Sequence, residues 1–191
     1  MPQKSAARLP SLDLVIPCYN EGQVIRETYR RIQKTIAANR LPISQIIFIN
    51  DGSSDDTITH LSAIARIDPH ITVIDLSRNF GHQAAVTAGL HRADADVTVI
   101  LDADLQDPPE LIPEMIRIHL REKAGVVYGA RKSRKGESWF KKTTARYFYK
   151  FINAMIERPF PENTGDFRLI DKNVLNAFKA LPERGKYIRG L

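Results

Sequence analysis

Short aliphatic runs recur at Leu12–Ile16, Ile46–Ile49, Ile71–Leu76, Val97–Leu101 and Val126–Tyr128, each closed by a polar, Gly or Pro residue. Runs that are nearly continuous in apolar residues, rather than alternating, describe strands covered on both faces. Between them the apolar positions change to helical spacing over Val24–Ala38, Thr57–Ile67, Gln83–Ala93 and Leu111–Arg121. Strand and helix therefore alternate, which predicts an α/β fold built on a Rossmann-like, mostly parallel sheet. Asp55 or Asp56 stands where a helix beginning at Thr57 needs a cap, and Pro108 and Pro109 stand where a first turn tolerates a missing N–H. No repeat, low-complexity tract or Pro/Gly-rich linker divides the chain, so residues 11–191 read as a single domain behind a loose arm, Met1 to Pro10.

Composition agrees with one buried core: 191 residues, 43% of them hydrophobic. The lone Cys18 has no partner for a disulfide, and no leader-like segment opens the chain, which argues against secretion. No apolar run approaches the roughly 18–20 residues that cross a bilayer. The net charge of +6 is uneven: between Arg117 and Arg158 twelve Lys and Arg stand against three Glu. Such a segment suits an anionic partner, or is a solvated charged face. Within it Phe140, Thr144, Tyr147, Phe148, Phe151, Ile152 and Met155 recur at helical spacing, with Lys142, Arg146 and Lys150 on another stripe. This basic amphipathic helix either packs on the core or lies in a membrane interface with Trp139 as its anchor.

Ligands of open α/β sheets gather at the carboxyl ends of the strands. Here those ends are polar and acidic: Pro17-Cys18-Tyr19-Asn20-Glu21, Asn50-Asp51-Gly52-Ser53-Ser54-Asp55-Asp56 and Asp102-Ala103-Asp104-Leu105-Gln106-Asp107. Asp102 and Asp104 flank one small residue directly after a strand, so both carboxylates can converge on a hard cation, Mg²⁺ or Mn²⁺, with the Gln106 amide oxygen in reach. The Asp51 cluster is either a turn with a helix cap or a recognition site, in which Asp51 accepts an N–H from a nucleobase and Tyr19 packs beside it. Neither a Gly-x-Gly-x-x-Gly loop after the first strand nor a triphosphate-cradling Gly-rich loop is present. Phosphates then fall to the cation and to basic side chains, with Arg131, Lys135, Arg184 and Arg189 the candidates.

Four segments, Val15-Ile16-Pro17-Cys18-Tyr19-Asn20-Glu21, Asn50-Asp51-Gly52-Ser53-Ser54-Asp55, Asp102-Ala103-Asp104-Leu105-Gln106-Asp107-Pro108-Pro109-Glu110 and Thr164-Gly165-Asp166-Phe167-Arg168-Leu169, together resemble the family-two GT-A glycosyltransferases. The branch they are most similar to acts on polyprenyl phosphates and contains dolichol-phosphate mannose synthases and bactoprenol glucosyltransferases. The resemblance implies a GT-A domain with helices on both faces of the sheet. It implies nucleotide contacts at Pro17, Tyr19, Asn20, Glu21, Ile49 and Asp51, metal and diphosphate contacts at Asp102, Ala103, Asp104 and Gln106, and phosphate binding by Arg131. Glu183-Arg184 and Arg189-Gly190-Leu191 resemble the family's next element, after which bacterial members continue into membrane helices. The chain is therefore expected to be trimmed of a membrane segment.

The expected reaction is a single in-line displacement that inverts the sugar. A polyprenyl phosphate, undecaprenyl phosphate first, attacks a hexose on a nucleoside diphosphate, with UDP-glucose the first donor and GDP-mannose the second. The expected place is the cytoplasmic face of the inner membrane, and a homo-oligomer stays open. Asp166 either orients the acceptor or a basic residue, or belongs to a structural turn. A same-fold transferase with a sugar hydroxyl acceptor is the alternative. A haloacid-dehalogenase-type phosphatase carries its acidic pair after the first strand, whereas Asp102 follows the fourth. A basic nucleic-acid-binding module leaves the strand-end carboxylates without a purpose, so no nucleic acid is expected.

Overall fold

The computed structural model describes residues 9–130 and 164–182. Element order is β1 (Leu12–Cys18), α1 (Ile25–Asn39), β2 (Ile43–Asn50), α2 (Thr57–Ile67), β3 (Ile71–Asp75), α3 (His82–Arg92), β4 (Val97–Ile100), a 3-10 turn (Pro109–Leu111), α4 (Ile112–Glu122), β5 (Val126–Ala130), β6 (Thr164–Asp171) and α5 (Lys172–Ala180). One six-stranded sheet runs in the order β3-β2-β1-β4-β6-β5. The β1/β2, β1/β4 and β2/β3 pairs are parallel, and β6 pairs antiparallel with both β4 and β5. Strand order reverses beside β1, which opens a crevice between the carboxyl ends of β1 and β4.

Alternation along each strand sends neighbouring residues to opposite faces. Leu12, Leu14 and Ile16 of β1, with Ile46 and Phe48 of β2, pack against the side holding Ile25, Ile32, Leu61, Ile112 and Met115. Val15, Ile47 and Ile49 pack instead against Ala85, Val86 and Leu90 of α3 and Leu175 and Phe178 of α5. Both faces are thus covered, which is why these strands read as apolar runs. The approach of α3 is close: a methyl group on Gly89 would lie 2.5 Å from Val15 Cγ1 and 2.7 Å from Ile49 Cδ1.

The helix starts refine the sequence reading. At α2 it is the Asp55 carboxylate that accepts the Thr57 N–H, at 3.0 Å, while the Asp56 side chain makes no cap bond. Two elements went unread in the sequence, β6 and α5. The Thr164–Asp171 segment carries Asp166 and Arg168 at buried positions, so it lacks the apolar run that marks the other strands. Asp166 accordingly sits inside a strand and not in a turn. The α5 start is capped by Asp171, whose Oδ1 accepts the Val174 N–H at 2.8 Å. Among the described residues no helix is long and apolar enough to cross a membrane. The predicted basic helix from Phe140 to Met155, with Trp139, lies outside the described residues, as does the N-terminal arm apart from Leu9 and Pro10.

Candidate active site

The carboxyl ends of β1, β2 and β4 and the start of α3 enclose a cleft of about 280 Å³. One wall is made by the loops after β1 and β2, and hydrogen bonds zip the two together. Asn20, held at φ 56°, donates its N–H to Ser53 Oγ at 2.9 Å and accepts the Ser54 N–H at 2.9 Å. Next to it the Glu21 N–H reaches Thr57 Oγ1 at 2.8 Å, and the Gly22 N–H reaches Asp55 Oδ2 at 2.9 Å. Asp51 begins where β2 ends and is 2% exposed; its carboxylate accepts the main-chain N–H groups of Phe80 at 2.7 Å and Gly81 at 2.9 Å. That clamp fixes the loop before α3, which presses so closely on Gly52 that a methyl group there would lie 2.3 Å from the Arg78 carbonyl carbon. Gly52, at φ 63°, has the conformation that glycine adopts without strain.

The other wall is Asp102-Ala103-Asp104. Thr28 Oγ1 of α1 donates to the Ala103 carbonyl at 2.7 Å and so anchors the middle of the motif from below. Leu105 turns the chain through the left-handed region at φ 63°, and the Gln106 N–H then reaches back to Asp104 Oδ1 at 3.0 Å. Across from this wall stands His82, the first residue of α3, with Nε2 3.9 Å from Asp102 Oδ1 and 3.1 Å from Asp166 Oδ2. Beneath Asp166 lies Arg168, wholly buried, with its guanidinium 3.5 Å from Asp166 Oδ1 and 5.2 Å from the centre of the Tyr128 ring.

The cleft is negative. Burial, then the carboxylates of Asp104, Asp102 and Asp55, push the Glu21 carboxyl above its ordinary range. Asp102 is also raised: burial dominates, His82 opposes it, and Asp107, Asp166 and Asp104 add to it. Burial, followed by Glu21 and Asp102, drives the Cys18 thiol upward, which keeps it protonated. Carboxylates that raise one another in this way are relieved by a cation. Among the described residues no three His, Cys, Asp or Glu side chains form a complete metal cluster. This donor set fits Mg²⁺ or Mn²⁺, ions that commonly take one or two carboxylates, keep waters and complete their shell with substrate phosphates. Asp102 and Asp104 are the residues that could hold such an ion.

Of the residues singled out in the sequence, Pro17, Tyr19, Glu21, Asp51, Asp102, Ala103 and Asp104 line the cleft. Asn20 acts in the loop zipper, Ile49 is wholly buried behind α3, and the exposed Gln106 contributes its main-chain N–H to the far side of Asp104. Arg131, Lys135, Arg184 and Arg189 lie outside the described residues. Sequence reasoning missed Cys18, Asn79, Gly81, His82 and Ala85, which also line the cleft. A single Gly-His pair before a helix carries no signal of its own.

A doubly covered sheet with this crevice and acidic motif defines a GT-A domain. Residues 13–178 match the model of the family described as glycosyl transferase family 2, and the chain belongs to that family. It is 47% identical over 178 residues to the uncharacterized glycosyltransferase YkcC of Bacillus subtilis, covering 93% of this chain and 54% of that protein. To the bactoprenol glucosyl transferase of Shigella phage SfV it is 36% identical over 180 residues, covering 94% of this chain and 58% of that protein. The chain thus spans somewhat more than half the length of these relatives. Among solved structures it is similar to the mannosyltransferase PcManGT from Pyrobaculum calidifontis, in complex with GDP-Man and Mn²⁺, with a TM-score of 0.63 and 18% identity over 92% of this chain and 48% of that one. It is also similar to glucosyl-3-phosphoglycerate synthase from Mycobacterium tuberculosis, in complex with Mn²⁺ and UDP, with a TM-score of 0.58 and 19% identity over 86% of this chain and 58% of that one. At these identities the two structures speak for the fold.

Proposed function

We propose that this chain is the donor-binding catalytic domain of an inverting glycosyltransferase that moves a hexose from a nucleoside diphosphate to a polyprenyl phosphate. The observation that carries the reading is the convergence of Asp51, from the end of β2, and Asp102 and Asp104, from the end of β4, on one cleft. Identity to bactoprenol glucosyl transferases over nearly the whole chain supports the lipid phosphate as acceptor and glucose as the sugar. UDP-glucose is therefore the first donor and GDP-mannose the second.

In this reading Pro17, Tyr19 and Asp51 receive the nucleoside, Tyr19 offering a half-exposed ring and Asp51 the lone pairs left over from its clamp on Phe80 and Gly81. Asp102 and Asp104 would hold Mg²⁺ or Mn²⁺, which when bound would supply charge neutralisation for the departing diphosphate. Arg131, Lys135, Arg184 and Arg189 are proposed to hold phosphates. A phosphate acceptor is already anionic near neutral pH, so a strong general base is less necessary than for a sugar hydroxyl. Asp166, tied to Arg168 and His82, is suited to holding side chains in place. A lipid phosphate acceptor entails action at a membrane surface, which we assign to the cytoplasmic face.

The test is a panel of nucleotide sugars incubated with short-chain polyprenyl phosphate and Mg²⁺, using the protein together with any membrane segment that follows it. Lipid-linked glucose from UDP-glucose is the expected product, and Asp104→Asn is expected to abolish it. Equal product from that variant would remove the proposed metal site.

A further inference from the structure

We propose that His82 is a positioning residue that sets the orientation of Asp102. This rests on the reading above that Asp102 helps to hold a divalent cation. Four side chains form a line from the core to the cleft. Arg168, with no exposed surface, lies 3.5 Å from Asp166 Oδ1; Asp166, 8% exposed, lies 3.1 Å from His82 Nε2; and that nitrogen lies 3.9 Å from Asp102 Oδ1. The antiparallel pairing of β4 with β6, which sets Ile100 opposite Arg168, brings Asp166 beside the chain that continues to Asp102.

The main chain that carries the imidazole is fixed as well. It opens α3 directly after Gly81, whose N–H is gripped by Asp51. His82 therefore joins the nucleotide wall to the acidic wall. Its side chain is 37% exposed, so it is not filling the core, and both of its charged neighbours are carboxylates that only accept hydrogen bonds when ionised. With its Nε2 edge 3.1 Å from Asp166 Oδ2 and 3.9 Å from Asp102 Oδ1, the ring narrows the space in which the Asp102 carboxylate can turn. Outer-shell partners that lie against a metal ligand are typically worth 10- to 100-fold in metal affinity.

The experiment measures Mn²⁺ affinity in the presence of UDP, from the paramagnetic resonance signal of free Mn²⁺, for the full chain and its variants, with unfolding midpoints recorded alongside. His82→Ala is expected to weaken Mn²⁺ binding by about tenfold. His82→Gln is expected to recover most of the loss, because its amide N–H can be offered to the same carboxylates. Asp166→Ala should weaken binding comparably, and the double variant should add little to either single change. Wild-type affinity in His82→Ala would overturn the proposal, as would His82→Gln no tighter than His82→Ala, or strictly additive effects. Should His82→Ala fail to fold, His82→Gln against Asp166→Ala gives the same decision. A wild-type chain that binds no Mn²⁺ with UDP would remove the metal reading itself, and this inference with it.

Discussion

The two walls of the cleft are held in opposite ways. On the side of the loops after β1 and β2, polar side chains are used up in binding main chain: Ser53 to Asn20, Asn20 to Ser54, Asp55 to Gly22 and Thr57, Asp51 to Phe80 and Gly81. On the acidic side, the Asp102 and Asp104 carboxylates repel each other and the Glu21 carboxylate of the facing wall. The first wall is finished before any ligand arrives, whereas the second keeps an electrostatic debt that a cation can settle. Rigid shape on one side and stored repulsion on the other suit a site that reads a flat base and then neutralises a diphosphate.

The contrast can be broken most decisively at Asp104. Asp104→Asn should lower transfer by about a hundredfold or more, because charge stabilisation by a bound cation is worth several kcal/mol, while the unfolding midpoint in the absence of metal stays level or rises. A fall in that midpoint would mean that the acidic wall is structural after all. Asp51→Ala strikes the other wall, leaving the partly buried N–H groups of Phe80 and Gly81 without their charged acceptor. It should cost roughly 3 kcal/mol in denaturant unfolding and weaken nucleotide binding with it. Asn20→Ala removes the bonds that its Oδ1 accepts from Ser54, though not the main-chain N–H on Ser53 Oγ, and leaves an alanine at φ 56°, where it is disfavoured by about 1 kcal/mol. A combined loss of roughly 2 kcal/mol is expected, and no loss would show that the loops hold their shape without it.

The smallest effect is in pH, and its sign differs between the carboxylates that bind main chain and those that face the cleft. At Asp55 burial pushes the carboxyl up, but the Thr57 hydroxyl and the N–H groups of Gly22 and Thr57 outweigh it, and the net displacement is downward. A depressed carboxyl stabilises the fold above its unfolded pKa, about 4, and that contribution is lost as pH falls through its folded value. Asp102 and Glu21 are raised, so their contribution is present below about pH 4 and is lost as pH rises through their folded values. Thermal scans without metal should therefore show Asp102→Asn gaining on the wild type as pH goes from 4 to 7. Saturating Mn²⁺ should cancel that gain by stabilising only the wild type.

Much of the site was readable because its parts are local. Asp102 and Asp104 follow a strand at fixed spacing, and any chain that forms β4 must deliver them to its end. Gln106 shows the limit of such reading: after the left-handed turn at Leu105 the residue is exposed and is not among those lining the cleft, and its main-chain N–H lies on Asp104 Oδ1. Asp51 was visible as a residue without its job being visible, since its partners Phe80 and Gly81 lie some thirty positions on.

Periodicity alone was enough for β1 to β5 and α1 to α4, because strands buried on both faces must be apolar and amphipathic helices must repeat every 3.6 residues. It could not reveal β6. There, Asp166 and Arg168 stand two residues apart on one face of the strand and so face each other, but it is the laying of β6 antiparallel between β4 and β5 that buries them. His82 belongs to the same class. Nothing near it in the chain distinguishes it, and its place between Asp102 and Asp166 arises where α3 crosses the ends of β4 and β6.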